Sequence, residues 1–374
     1  MEQKLNIDLL KEFFKFNMKF VILISFIFCT TSLYGQRIPV TLGAYYFDGW
    51  NGKSTNNLLT DSLKVRYLER KPKWGWITST SYIMDQQIQL AERNGIDFFS
   101  FCWYLPREKS ADEEPLNNAV GLFMKSQLNS KMKFSILVAN HPPYLITPEN
   151  WNIATAEWIR LFKNKRYLKT NQKPLLTFFT FRTLLQEFGS VKALADSITS
   201  FRAKVKAAGF EGVALAVNLT DPNDNVLSAN AKAAGFDIFT GYNYHDSGLK
   251  ANDTLTPINS MIDAEHKVWD LTKDKTNQFI PVTTLNWDPR PWRPGNENKI
   301  KRFSGFSGHS VEMSVSAMLS WMSVNKMYLT KERIALVYAW NEYGEGGWLT
   351  PSKLYGNQLL DGLRRAKQKK TQTK

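Results

Sequence analysis

From residue 39 onward, short apolar, β-branched and aromatic runs alternate with stretches whose apolar positions recur every three or four residues. The runs lie at 39–47, 96–104, 132–140, 174–181, 212–219, 236–243, 280–287 and 334–341. Each is apolar at successive positions, the mark of a strand buried on both faces, as parallel strands are. The stretches between them predict helices over 80–94, 114–129, 151–167, 188–207, 224–234, 257–274 and 310–326, and a closing one over 352–368. Asn94-Gly95, Gly209 and Gly235 stand just ahead of strands, where a helix commonly ends in the left-handed conformation. Eight alternations with no linker or composition break predict one α/β domain over 36–374, a (β/α)8 TIM barrel with long βα loops. An open doubly wound sheet would bring a phosphate-binding glycine loop after its first strand. That strand runs instead into Tyr45-Tyr46-Phe47-Asp48-Gly49-Trp50.

Composition narrows the class. The 374 residues are 43% hydrophobic and 22% charged, which excludes a disordered chain, a collagen-like repeat and a multi-span membrane protein. Two cysteines and four histidines are too few for a disulfide framework and leave little for a metal cluster, so no metal or other cofactor is expected. Residues 20–28 are apolar apart from Ser25 and follow Lys19. That is well short of the roughly 20 residues needed to cross a bilayer, and matches the core of a signal peptide. Residues 1–35 are therefore expected to be a signal cleaved after Gly35, with 1–17 a start-site artefact ahead of Met18-Lys19. Export to the periplasm or cell surface follows. Cys29 sits behind bulky Phe28, so no lipid anchor is expected, and the remaining Cys102 reads as buried and inert. Net charge is +14, and from Lys353 onward seven Lys/Arg face only Asp361. This basic end reads as a solvated helix terminus; contact with an acidic polymer or membrane is the competing reading. No nucleic-acid module is present.

In such a barrel, chemistry sits on the rim where the strands end. The rim positions are Tyr46, Asp48 and Trp50; Trp103 and Tyr104; Asn140 and His141; Arg182; Asn218; Tyr242 to His245; Asn286 to Asp288; and Trp340 to Glu342 with Glu345. Of the 12 tryptophans, Trp50, Trp74, Trp76, Trp103, Trp287, Trp292, Trp340 and Trp348 fall at or after strand ends. About half of these are expected to cap the barrel; the rest offer flat faces to sugar C–H groups beside polar groups for hydroxyls. Candidate substrate contacts are Tyr46, Asp48, Trp50, Trp103, Tyr104, His141, Tyr244, His245, Trp287, Asp288, Asn341 and Trp348. Asp48 and Asp288 serve equally as loop caps, and His141 and His245 as structural donors.

The sharpest segment is 338–351, YAWNEYGEGGWLTP. Glu342 and Glu345 stand three apart, but Gly344, Gly346 and Gly347 argue against a helix, and Trp340 and Trp348 against open solvent. A carboxylate pair in a semi-apolar cleft has its two pKa values driven apart, which suits acid and base roles in glycoside cleavage. No Gly-x-Ser-x-Gly elbow marks a nucleophilic serine.

WNEYGEG resembles the Asn-Glu-Trp-x-Glu-Gly signature of glycoside hydrolase family 99 and its WbsX-type relatives, which often carry the label glycosyltransferase. GAYYFDGW at 43–50, GIDFFSFCWY at 95–104 and LNWDPRPWRP at 285–294 resemble further family segments, so the likeness covers most of 38–355. It implies a retaining reaction through a 1,2-anhydro sugar. Glu342 would act as base on the 2-hydroxyl of an α-mannose-type residue, and Glu345 as acid for the leaving group, then as base for water. Tyr343 stands where the family commonly has Trp, and Gly344 where the mannosidases have His, so fold and reaction class transfer further than sugar identity. The leading expectation is an exported hydrolase acting on an oligo- or polysaccharide. A WbsX-type glycosyltransferase is one alternative, although no Asp-x-Asp motif occurs. A non-catalytic glycan-binding barrel is another.

Overall fold

A computed structural model describes residues 39–368, apart from 55–57, 109, 220, 276–277 and 294. The expected signal segment and the last basic residues lie outside the described residues.

The eight alternations fold as β1 (Thr41–Tyr46), α1 (Ser81–Arg93), β2 (Phe98–Trp103), α2 (Asn118–Lys125), β3 (Lys133–Val138), α3 (Trp151–Phe162), β4 (Lys173–Phe178), α4 (Val191–Ala207), β5 (Ala214–Asn218) and α5 (Asn225–Ala234). They continue with β6 (Ile238–Thr240), α6 (Asn259–Lys273), β7 in two pieces (Gln278–Phe279 and Val282–Thr284), α7 (Gly308–Val324), β8 (Ile334–Tyr338) and α8 (Gln358–Gln368). The helix after β4 is doubled, because Phe181–Phe188 forms an extra helix of about two turns ending at Gly189 before α4 starts. Residues 115–117 are a 3-10 turn rather than the first turn of α2. Local signals set the boundaries: Thr80, Ser190 and Asp224 accept backbone N–H groups at the starts of α1, α4 and α5. Gly235 closes α5 at φ 102°, a conformation in which a Cβ would clash with the following carbonyl.

All barrel strands pair in parallel. β1 lies between β8 and β2, with Gly43 opposite both Leu336 and Phe98, and the order runs on through β3, β4, β5 and β6. The ring closes through β7. Its first piece pairs with β6, Ile238 opposite Gln278, and its second with β8, Thr284 opposite Tyr338. The break falls at Pro281, which has no N–H to donate, although its carbonyl still accepts from Leu336 N at 3.0 Å. The strands stop one to three residues before the apolar runs do, so the ends of those runs become the rim. Among the described basic residues near the C-terminus, Arg365 bonds Glu312 and Lys367 bonds Asp97; these charges tie α8 to the barrel. No described helix is long and apolar enough to cross a membrane.

The interior is aromatic. Trp158, Trp269, Tyr45, Phe98, Phe99 and Phe101 are completely buried. Cys102 is free and buried, and burial pushes its thiol well up. Glu265 on α6 is also buried; it accepts from Thr283 Oγ1 at 2.8 Å and from Thr284 N, stitching α6 to the second piece of β7. Burial raises this carboxyl to about 8, against the lowering effect of those threonine bonds. A folded value above the unfolded one means the folded state binds the extra proton. The stability so contributed is complete below about pH 4.5 and is lost as pH rises through about 8. We expect Glu265→Gln to flatten the decline of stability between about pH 5 and 8, by at most about 1.4 kcal/mol per pH unit for one proton. Denaturant unfolding across that range checks this; an unchanged slope would show that Glu265 does not titrate there.

Candidate active site

β8 ends at Tyr338, and three residues later the chain begins a two-rung hairpin: Asn341 opposite Trp348, Glu342 opposite Gly347. Gly346 N returns to Glu342 O at 2.8 Å, so Tyr343, Gly344 and Glu345 form the tip. The turn needs its glycines. Trp292 occupies the space a Gly344 side chain would take, its ring 2.1 Å from the Cβ position, and Gly346 sits at φ 84°.

A hairpin carries residues i and i+3 around a tight turn, and here both acids face the barrel mouth. Tyr242, just past β6, donates to Glu342 Oε1, and Tyr338 donates to Glu345 Oε2. The two phenol rings meet edge to face with centroids 5.0 Å apart. Glu342 is only 4% exposed, and its Oε2 has no hydrogen-bond partner among the described residues. Glu345 is the less covered of the two. Burial first, then the charge of Glu345, pushes Glu342 well above the usual carboxylate range, while the Tyr242 bond pulls it down. Burial raises Glu345 to about 7, with Tyr338 opposing. Two carboxyls in one dry hollow do not both ionise cheaply, so the pair keeps a proton near neutrality.

Around the pair lie the half-buried faces of Tyr242, Asn243, His245 and Trp287. His245 stacks on Trp287, centroids 3.6 Å apart and 11° from parallel, and its Nδ1 meets Asn243 Oδ1 at 2.5 Å. Burial lowers its pKa, Asp246 partly offsetting this. Trp287 approaches Tyr338 at 6.5 Å. On the other side, Tyr242 contacts Phe179 at 5.3 Å, Phe179 contacts His141 at 5.6 Å, and His141 contacts Tyr104 at 6.3 Å. Tyr104 is pushed well up by burial, with Cys102, Glu342 and Glu345 adding to it. Of the residues singled out from sequence, Tyr104, His141, His245, Trp287, Glu342 and Glu345 thus gather at the mouth.

The other eight lie beneath it and hold its loops. Tyr46, Trp50, Trp103 and Asn341 have essentially no exposed surface for a ligand. Tyr46 OH takes Gln87 Nε2 at 3.1 Å, and Trp50 Nε1 donates to Asn341 O at 2.7 Å. Trp103 packs on Trp158. Asn341 spends its amide on both backbone groups of Phe47. Trp348 is enclosed by Phe306 and Tyr355, and Tyr244 fills the space a Gly241 side chain would need. Asp48 accepts from Ser79 Oγ at 2.9 Å and from Ala119 N at 2.6 Å, capping the start of α2. Asp288 is bound by Arg70 and Arg290; burial would raise its pKa, but these two cations hold it below the ordinary value. Loop capping, the alternative open for both aspartates, is what the geometry shows. Of the eight rim tryptophans, Trp50, Trp103, Trp340 and Trp348 are buried, while Trp74, Trp76, Trp287 and Trp292 are half-buried.

Three side chains at the site were not singled out: Tyr338, Tyr242 and Arg70. Both tyrosines belong to apolar runs and read as strand or rim residues; only the closed ring brings residue 242 to residue 342. Asn218, at the end of β5, is buried with both amide atoms unpartnered among the described residues, which leaves a donor and an acceptor for water or a bound hydroxyl.

Fold and site together define a (β/α)8 barrel with an enclosed acid pair on its C-terminal rim. Residues 76–363 match the family model described as Glycosyltransferase WbsX, and the chain belongs to that family. Solved structures of similar fold include a glycoside hydrolase-like protein, with TM-score 0.62 and 14% identity over 89% of this chain and 97% of that one. The GH99 endo-alpha-mannosidase from Bacteroides thetaiotaomicron gives TM-score 0.56 and 13% identity over 88% and 96%. A Prevotella bryantii endo-beta-mannanase/endo-beta-glucanase gives 0.51 and 11% over 88% of this chain and 49% of that one. At such identities the likeness is one of fold. Comparison with curated sequences returned no significant match.

Tyr338 donates to the ionised form of Glu345 and so lowers its pKa. Tyr338→Phe is expected to raise the Glu345 midpoint above about 7, by on the order of one pH unit. The ¹³C-carboxyl titration of Glu345, assigned by its loss in Glu345→Gln, measures this; a fall or no change contradicts the hydrogen bond's role.

Proposed function

We propose that the chain is a glycoside hydrolase whose catalytic groups are Glu342 and Glu345. The observation that carries this reading is the pair itself: two tyrosine-held carboxyls on one hairpin, one buried and the other half-buried, with both pKa values raised by burial. Glycosidic cleavage asks for such a pair, because one group must protonate the departing oxygen while the other is ionised. Glu345, at about 7, can both take up and give up a proton near neutrality. Glu342 Oε2 is buried and has no hydrogen-bond partner among the described residues. A sugar 2-hydroxyl bonded there would stabilise the Glu342 carboxylate and leave the shared proton on Glu345. That shift is required, since burial and mutual repulsion favour the proton on Glu342 in the free protein. Glu342 then draws the proton from the 2-hydroxyl as that oxygen attacks the anomeric carbon, and Glu345 protonates the leaving oxygen. Water, deprotonated by Glu345, then attacks the anomeric carbon and opens the 1,2-anhydro ring with net retention, while Glu342 returns its proton to the 2-oxygen. The stacked His245–Trp287 pair offers a flat face beside Glu345, and Phe179 and His141 offer others beyond Tyr242.

The family description favours a second reading, sugar transfer. The same acids serve it if an acceptor hydroxyl replaces water in the last step, so product analysis separates the two. We expect the purified protein, screened on mannans, N-glycans and acidic polysaccharides, to release new reducing ends with retained anomeric configuration. Glu342→Gln and Glu345→Gln should each lose about 10²- to 10⁴-fold in kcat, with melting at pH 8 no lower than wild type, because each removes a costly buried acid. Wild-type turnover in either variant ends the assignment. Glycan binding without cleavage by the wild type would leave a binding barrel.

Export is part of the same reading, supported by the apolar stretch at 20–28. Expressed with its leader in a Gram-negative host, the mature protein is expected to begin at Gln36; N-terminal sequencing of the exported fraction checks it, and an uncleaved cytoplasmic product refutes it.

A further inference from the structure

Arg70 lies in the long loop after β1, at the end of the short turn Leu68–Arg70, far in sequence from the acid pair. Its guanidinium is 2% exposed, 4.8 Å from the Tyr67 ring centroid and 5.8 Å from that of Trp348. Nη1 donates to Tyr343 O and to Asp288 O, each at 2.9 Å, and Nη2 to Asp288 Oδ2 at 2.6 Å. Asp288 N in turn donates to the carbonyl of Glu345 at 2.6 Å, and Asn286 Nδ2 to that of Gly346 at 2.7 Å. One planar fork therefore ties the residue two before Glu345 to the residue that grips Glu345's own backbone. The missing side chain of Gly346 makes room, because Nη1 lies 3.2 Å from its Cβ position.

We propose that Arg70 is a positioning residue for Glu345, clamping the hairpin tip against the β7 loop so that this carboxyl stays fixed and dry at the barrel mouth. A buried cation is costly unless its partners are well placed, and this one spends its fork on the tip and on Asp288. Lysine carries the charge but not the planar fork. Without the clamp, the tip loses its hold at Tyr343 O and the anchor of Asp288, keeping the short ladder, the Gly346–Glu342 bond, the Asn286 bond to Gly346 O and the Tyr343–Thr350 bond; water then reaches Glu345, and its pKa falls from about 7 toward the ordinary carboxylate range. The titratable groups facing Glu345 are Glu342, Tyr338, Tyr242, Tyr104 and Cys102. Those facing Arg70 are Asp288, Glu69, Tyr67, Arg290 and Tyr355.

The proposal rests on Glu345 being the proton donor, so the test has one arm that needs no substrate. In that arm, the Glu345 ¹³C-carboxyl titration and hydrogen exchange of the 343–347 amides are compared between wild type and Arg70→Lys. The midpoint is expected to fall by about one pH unit and exchange to quicken about tenfold or more. In the second arm, on a glycan the wild type cleaves, kcat falls about 10- to 100-fold with KM within about threefold, and the alkaline limb of activity moves down with the midpoint. A folded Arg70→Lys with unchanged midpoint and exchange overturns the proposal, even if its melting temperature drops. Should that variant not fold, Asp288→Asn keeps the backbone bonds and weakens the ionic arm; it should show a smaller downward shift, and no shift overturns the proposal. A wild type that cleaves nothing refutes the hydrolase reading while the first arm still decides the role of Arg70.

Discussion

Two carboxyl groups that water would keep apart are held together at the end of β8, and much of the rim serves that constraint. Each acid has a phenol to receive from, the phenols pack on each other, and the hairpin brings the acids within reach of a single mouth. Burial raises both pKa values against the lowering pull of the Tyr242 and Tyr338 bonds, and the hairpin keeps the acids from turning out into solvent. Loosen the hairpin and the acids become ordinary surface glutamates.

The cost of that arrangement is spread over the barrel. Buried like charges destabilise the fold, and the large aromatic interior supplies the excess from which they are tolerated. The loops are not left to chance. Asn341 bonds both backbone groups of Phe47, Trp50 bonds Asn341, Asp48 caps α2 and Asp288 takes two arginines, so the loops after β1, β2, β7 and β8 brace one another. Many polar residues that look available for a ligand on a one-dimensional reading are spent in this bracing.

The surface that stays open is a more selective set: the less covered Glu345, the stacked His245–Trp287 face, and the aromatic contacts leading through Tyr242 and Phe179 to His141, with Glu342 buried beside Glu345. Flat faces on both sides of an acid pair suit a chain of sugar rings. Membership of the WbsX family and the fold of the glycoside hydrolase-like relative agree with that surface without specifying which sugar it takes.

The strands, most helices and the acid pair were legible in the primary structure, because those signals are local. An apolar run of eight residues declares a buried strand, Gly235 declares a helix end, and two glutamates among glycines and tryptophans declare an enclosed pair. The division of the rim into ligand-facing and bracing residues was not legible. Trp50 and Trp287 look alike in sequence, yet one is covered by Asn341 and Tyr343 and the other opens beside Tyr338, and burial is a property of what arrives from elsewhere. Tyr242 reaches Glu342 across 100 positions, and Arg70 reaches Tyr343 across 273; such pairings exist only once the ring has closed through the broken β7. Local chemistry determined which elements form and which two acids share a hairpin, and tertiary closure decided which partners hold them and which surfaces remain free.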